Sequence, residues 1–267
     1  MPLDLVGLQG GRHAVLHRSG PHSVHGAVTV FSASWRPLST VPVPTSGSGM
    51  AYEPGTGILY LAQWACIRSV QLASGQPLQQ SATLTGNISA GPLLRHGCLV
   101  LARGAGVAEP VTILAAGTLT ELRSFGREVS EASGLCLLPD DSVVVADAGL
   151  WRLHVFSWGG VPLRRLACAF MPSKLCCARD RVYAIENREH LRPNPEPGTD
   201  DDAHAHAWWG RRVMVLQASD GAVIRELLLP RAEDLSGVCH TGGQLRAVDY
   251  GCGAVHELTL PSHDSVP

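Results

Sequence analysis

Lysine is almost missing from this sequence. Of 21 basic residues only Lys174 is a lysine and the others are arginines. A coding bias toward Arg, Ala and Gly accounts for that as well as selection for bidentate contacts does. Charge of either sign is sparse, at 16% of residues with a net charge of -2, so there is no general pull toward nucleic acid or anionic lipid. Long apolar runs are missing too: none approaches the roughly 18 residues that span a bilayer. The N-terminal "MPLDLVGLQGGRH" has no basic segment followed by an apolar one and does not read as a secretory signal. A cytoplasmic or other reducing intracellular compartment is the default expectation. Eight cysteines, at 66, 98, 136, 168, 176, 177, 239 and 252, make no C-x-x-C pair and no zinc-finger spacing, so neither a disulfide framework nor a structural zinc is expected. G-x-S-x-G, H-E-x-x-H and Walker-type phosphate loops are absent, and the residues imply no cofactor.

What is present is 45% apolar residue with 29 Gly and 18 Pro, the composition of a folded, turn-rich chain. Laid against itself, the chain repeats. "SGMAYEPGTGILYLAQ" from Ser48, "SGLCLLPDDSVVVAD" from Ser133, "SKLCCARDRVYAIE" from Ser173 and "SGVCHTGGQLRAVD" from Ser236 share one plan, joined by weaker copies from Ser89 and Asp4. Each opens on a small or apolar run, turns at Gly, Pro or polar residues, and re-enters an apolar run that ends on a polar side chain. The starts are separated by 44, 41, 44, 40 and 63 residues. Third runs such as "AVTVFS" and "RVMVLQA" alternate or are β-branched, which is strand behaviour, and turns such as "ASGQ" and "SDGA" lead into a fourth run. Each unit therefore reads as a four-stranded antiparallel meander, its strands called a to d.

Six units of about 40 residues predict an all-β, six-bladed β-propeller, because one meander cannot bury both its faces and radial stacking can. A seven-bladed ring or a β-sandwich is the alternative. The stretch "SGLCLLPDDSVVVADAGLWRLHVFSWGG" (Ser133 to Gly160) resembles the NHL-repeat propellers: Gly134 and Leu135 begin the inner strand, "PDDS" is the turn, and Arg152 to Phe156 replaces their R-V-x-V-F segment. The expected domain is a single one over 1-267, with blades at about 4-44, 48-86, 88-127, 131-170, 172-230 and 234-260 and an insertion at 187-210 in blade five. The last unit has only strands a to c before "PSHDSVP", so a three-stranded sixth blade, or one completed by a partner strand, is expected.

The repeat also ranks the tempting residues. Strand b ends on His17, Gln63, Arg103, Asp147, Glu186 and Asp249, one polar residue per blade on the face that carries the b-to-c loops. The resemblance implies that Asp147 and Asp249 accept backbone N–H bonds from the adjoining turn. Some six-bladed hydrolases and lactonases bind a divalent metal at this channel mouth, and Asp147, Glu186, Asn187 and Asp249 offer the right oxygen types. Cys136, Cys176 and Cys239 share one inner-strand position and read as buried, inert thiols, while neighbouring Cys176 and Cys177 should point to opposite sides of their strand.

The long interval comes from "NREHLRPNPEPGTDDDAHAHAWWG", inserted from Asn187 between strands b and c of blade five. His204 and His206 lack an evident third metal ligand, whereas Trp208 and Trp209 have the character of interface anchors. Arginine pairs at Arg164/Arg165 and Arg211/Arg212 are offset by Asp200 to Asp202, so nucleic acid is not an expected partner. The resulting expectation is a non-catalytic interaction or scaffold module, taking another protein on its loop face, as a subunit of a larger complex. A metal-dependent hydrolase or lactonase with carboxylates at the channel mouth is the alternative.

Overall fold

The computed structural model describes residues 2–18, 25–44, 49–187, 210–241 and 243–258. Six antiparallel sheets succeed one another along the chain, each pairing its strands in chain order. The first holds β1 (Pro2–Gly7), β2 (His13–Arg18), β3 (His25–Phe31) and β4 (Pro37–Pro44), and the second β5 (Gly49–Glu53), β6 (Ile58–Gln63), β7 (Cys66–Gln71) and β8 (Pro77–Gln80). The third holds β9 (Ile88–Arg95), β10 (Cys98–Arg103), β11 (Val111–Ala115) and β12 (Glu121–Phe125). β13 (Ala132–Leu137), β14 (Val143–Asp147), β15 (Arg152–Phe156) and β16 (Pro162–Ala167) form the fourth. The fifth holds β17 (Met171–Ala178), β18 (Arg181–Asn187), β19 (Arg212–Gln217) and β20 (Val223–Leu228), and the sixth β21 (Leu235–Thr241), β22 (Gln244–Asp249) and β23 (Ala254–Leu258). The protein is a six-bladed β-propeller whose last blade has three strands among the described residues. No helix among them is long and apolar enough to cross a membrane.

The repeated Ser-Gly has a local cause. Pairing of β13 with β14 slips between Ala132 and Gly134, leaving Ser133 in a bulge, and the same slip brackets Ser236 and spans Ser173. The bulged hydroxyl satisfies a strand b carbonyl: Ser133 Oγ donates to Ala146 O at 3.4 Å, Ser173 Oγ to Ile185 O at 3.1 Å and Ser89 Oγ to Ala102 O at 3.3 Å. The glycine lets the next inner strand approach. A Cβ on Gly134 would lie 1.9 Å from Ser173 O, and one on Gly49 would lie 1.9 Å from Gly91 O.

Strands b and c are buried on both faces, so they read as continuous apolar runs such as Val143 to Ala146. Their side chains fill the spaces between blades. Between blades four and five, Val144, Ala146 and Leu153 pack against Leu175, Val182 and Met214, and each Val or Leu so buried stabilises the ring by about 1.5–3 kcal/mol. Strand d or the linker after it supplies a lid in five of the six seams: Val41 and Val43, Leu84, Phe125 and Val129, Leu166 and Phe170, then Leu229 and Ala232. The seam between blades six and one has none among the described residues. Its buried apolar core is Leu5, Val15 and Val248.

Candidate functional site

Antiparallel meanders bring all six strand b ends to one face, with the b-to-c turns beside them. Asp147 is fully buried there. Its carboxylate accepts N–H groups from Ser130 (2.9 Å), Glu131 (3.1 Å) and Leu150 (3.2 Å) and lies 3.1 Å from His154 Nε2. Asp249 repeats the pattern with Glu233 (2.8 Å), Asp234 (2.9 Å), Gly251 (3.0 Å) and His256 Nε2 (3.1 Å). Each aspartate thus ties the linker from the preceding blade to its own b-to-c turn. Burial pushes both carboxyls up, but the hydrogen bonds outweigh it, holding Asp147 below its usual range and Asp249 at about 2.

The other strand b ends are also engaged within their blades. His17 Nε2 is 2.6 Å from Thr29 Oγ1, and burial lowers its pKa. Arg103, 6% exposed, donates to Thr85 O, Glu109 O and Ser124 Oγ. Glu186 faces Arg212 at 3.5 Å, and Arg212 also meets Glu226 at 2.9 Å. Gln63 closes β6, paired with Cys66 across a two-residue turn. Trp208, Trp209, His204 and His206 lie outside the described residues.

Inner strands line a central channel of about 590 Å³. It holds the lone lysine: Lys174, which takes the place of the repeat glycine, sends Nζ to Ser89 O at 2.6 Å, two blades away. Asp4 is its charged neighbour, accepting N–H from Leu5 (2.8 Å) and Met50 (2.7 Å). Both side chains are half-buried, lining the channel. That burial raises Asp4 to about 6 against its hydrogen bonds and Lys174, and lowers Lys174 against Asp4. Burial also lifts the channel thiols, Cys136 and Cys176 well above the usual range and Cys239 to about 12, so they stay protonated. Cys176 packs into the seam with blade six and Cys177 into the seam with blade four, on opposite sides of β17.

Two residues that sequence reasoning passed over stand out on the b-to-c face. Trp64, 63% exposed, follows Gln63 in the turn of blade two, and Trp151, 39% exposed, ends the turn of blade four beside exposed Leu150. Both have left-handed backbones, φ 37° and 51°. A tryptophan within the two- to four-residue turn that follows the strand b terminus was the available signal. At the open seam lies a second cavity of about 590 Å³, lined by Val15, His17, Thr29, Phe31, Trp35 and Val255 among others. It lies beside β23, at the seam where strand d or its linker contributes no buried apolar side chain among the described residues.

These features define a six-bladed propeller with a polar, aromatic-tipped loop face and an axial channel. The same architecture occurs in Kuenenia stuttgartiensis hydrazine synthase, which superposes over 97% of this chain and 95% of that one with a TM-score of 0.65 at 13% identity. The computationally designed Ika8 protein matches over 97% of this chain and 71% of its own, with a TM-score of 0.57 at 12% identity. At such identities the likeness shows the fold alone. No family model and no curated protein matches the sequence.

Proposed function

We propose that this propeller is a non-catalytic interaction module, related to the NHL-repeat rings, that takes a partner protein on the face of its b-to-c turns. The observation that carries the reading is Trp64, 63% exposed at the tip of its turn. A solvated indole of this kind gains most by being covered, since aromatic side chains bury 150–250 Å² each and tryptophan leads among interface anchors. Trp151 and Leu150 add apolar surface on the same face. The carboxylate of Asp147 is meanwhile occupied by backbone N–H groups of its own joint, and Glu186 lies beside Arg212, which favours a scaffolding role over metal-dependent hydrolysis at the channel mouth. The setting we propose is a larger complex in a reducing intracellular compartment.

Photo-crosslinking residues placed at 64 and 151 test this, with Arg179 on the opposite face as control. Discrete adducts to one protein from 64 and 151, missing from 179, are expected. Binding of that protein should weaken at least about tenfold in Trp64→Ala, and deletion of 188–209, bridged by a short Gly-Ser linker, should abolish it with the fold intact. Equal crosslinking from both faces, or unchanged affinity in a Trp64→Ala/Trp151→Ala double variant, overturns the reading.

A further inference from the structure

Blades four and six carry the same Asp–His pair, yet only blade six adds a third donor. Asp249 Oδ2 lies 3.0 Å from Cys252 Sγ and 3.1 Å from His256 Nε2, and Sγ and Nε2 are 4.0 Å apart. At the matching places in blade four stand Asp147, Leu150 and His154. There the Asp–His separation is again 3.1 Å, but leucine replaces the thiol and the histidine side chain is 2% exposed, covered by β16. In blade six the strand bearing His256 is the sheet edge among the described residues; His256 is 22% exposed and Cys252 is open to solvent.

We propose that Asp249, Cys252 and His256 form a transition-metal site suited to Zn²⁺, with one coordination position left to water. The donor set of carboxylate, thiolate and imidazole is one that zinc accepts and that Mg²⁺ and Ca²⁺ do not favour. Tetrahedral zinc, at about 2.0–2.3 Å from each ligand, separates such donors by roughly 3.3–3.6 Å, so each atom needs to move only a few tenths of an ångström. The cation replaces the Cys252 and His256 hydrogens now directed at Oδ2, which keeps the N–H of Glu233 at 2.8 Å. The thiol proton leaves to solvent and the imidazole's single proton passes from Nε2 to Nδ1, so one proton is released per zinc bound.

An independent feature points the same way. Asp234, whose N–H binds Asp249 Oδ1, is 2% exposed, and its own Oδ1 has no hydrogen-bond partner among the described residues. Among the described residues no Lys or Arg side chain forms an ion pair with either carboxylate. A buried carboxylate oxygen without a donor, next to a second carboxylate, makes the surroundings of the three ligands favourable to a cation. A metal on Asp249, Cys252 and His256 joins the end of β22, the b-to-c turn and β23, pinning the blade that has three strands among the described residues.

The test titrates Co²⁺ and then Zn²⁺ into the full chain. One equivalent of Co²⁺ should produce a thiolate-to-cobalt charge-transfer band in the near ultraviolet, erased by Zn²⁺. Cys252→Ser, at an exposed site where serine can still donate to Asp249, should fold with an unchanged circular dichroism spectrum and show no band. His256→Ala should weaken binding at least about tenfold, and Cys66→Ser should leave it unchanged. Zinc at a hundredfold excess over Kd should raise Tm by about 5 °C in the wild type and not in Cys252→Ser. A full band in Cys252→Ser, or no band from wild type at about tenfold excess of cobalt, overturns the proposal.

Discussion

Asp147 Oδ2 stands 3.1 Å from His154 Nε2 in the sealed interior of blade four, and the same carboxylate gathers the N–H groups of Ser130, Glu131 and Leu150. Linker, turn and strand c are therefore held by one side chain. The polar ends of strand b are in this sense parts of the blade joint, and it is the turn tips beyond them, Trp64 and Trp151, that face outward. Anchoring of the blade and the surface proposed to take a partner thus fall to neighbouring residues of one loop.

Asp147→Asn should separate the two roles. Asparagine has one acceptor oxygen where the carboxylate uses two, so at least one buried N–H loses its partner, and hydrogen bonds to a charged group are worth about 1.5–3 kcal/mol each. A loss of about 3 kcal/mol in urea unfolding is expected. Trp64→Ala, at an exposed position, should stay within about 0.5 kcal/mol of wild type.

Acidity in the channel gives a second expectation. Asp4 titrates at about 6 when folded, through burial opposed by its bonds to Met50 and Leu5 and by Lys174, with Cys239 facing it from β21. Its folded pKa lies above the usual 3.8, so the native state binds the proton more tightly. Its contribution is full below about pH 4 and is lost as pH rises through 6. A shift of this size corresponds to roughly 3 kcal/mol at most. His13, His17 and His240, whose pKa values burial lowers, act with the opposite sign, and Asp234, raised to about 7 by burial and by Asp249, with the same sign. The difference isolates Asp4, so across pH 4.5, 5.5 and 7 the unfolding free energy of wild type should fall relative to that of Asp4→Asn.

How much of this could be read from the chain follows from where each contact is made. The repeat was legible because Ser133, Ser173 and Ser89 each bond within their own blade, about a dozen residues along. A local constraint leaves a periodic trace. The N–H-accepting role of Asp147 and Asp249 was legible for the same reason. What joins blades was not: Lys174 to Ser89 is separated by 85 residues and Trp35 to Glu257 by 222, and no period encodes either. The Asp249–Cys252–His256 grouping lies within eight residues, yet its D-x₂-C-x₃-H spacing gains meaning only when a turn folds Cys252 back and the edge strand brings His256 alongside.

Gly134 offers a direct test of the Ser-Gly element. Because its added Cβ would meet the backbone oxygen of Ser173 at 1.9 Å, neither side-chain rotation nor solvent can relieve the contact. Blades four and five must separate at their inner strands. Gly134→Ala should cost about 3 kcal/mol or more, whereas Gly10→Ala, with open space around its Cβ, should cost about 1 kcal/mol or so through its left-handed backbone alone. Chemical denaturation of the two variants decides it.

The seam between blades six and one should be where the ring opens first. Its buried apolar core among the described residues is three side chains, against ten or more in each of the other seams. What supplements it is Trp35: the ring stacks on His13 at 4.8 Å, donates Nε1–H to Glu257 at 2.8 Å and lies 5.6 Å beneath the Arg246 guanidinium. Arg246 in turn grips Glu257 at 3.0 Å, which keeps β23 against β22. Removing the indole deletes a stack, a charged hydrogen bond and a cation–π contact together, a loss of about 2–3 kcal/mol. In native-state hydrogen exchange, Trp35→Ala should speed exchange of the β22–β23 amides at least about tenfold while those of β13 to β15 keep wild-type rates, since cooperative units open independently. Uniform acceleration throughout the ring would mean that the seam is no weaker than the others and that the propeller opens as one body.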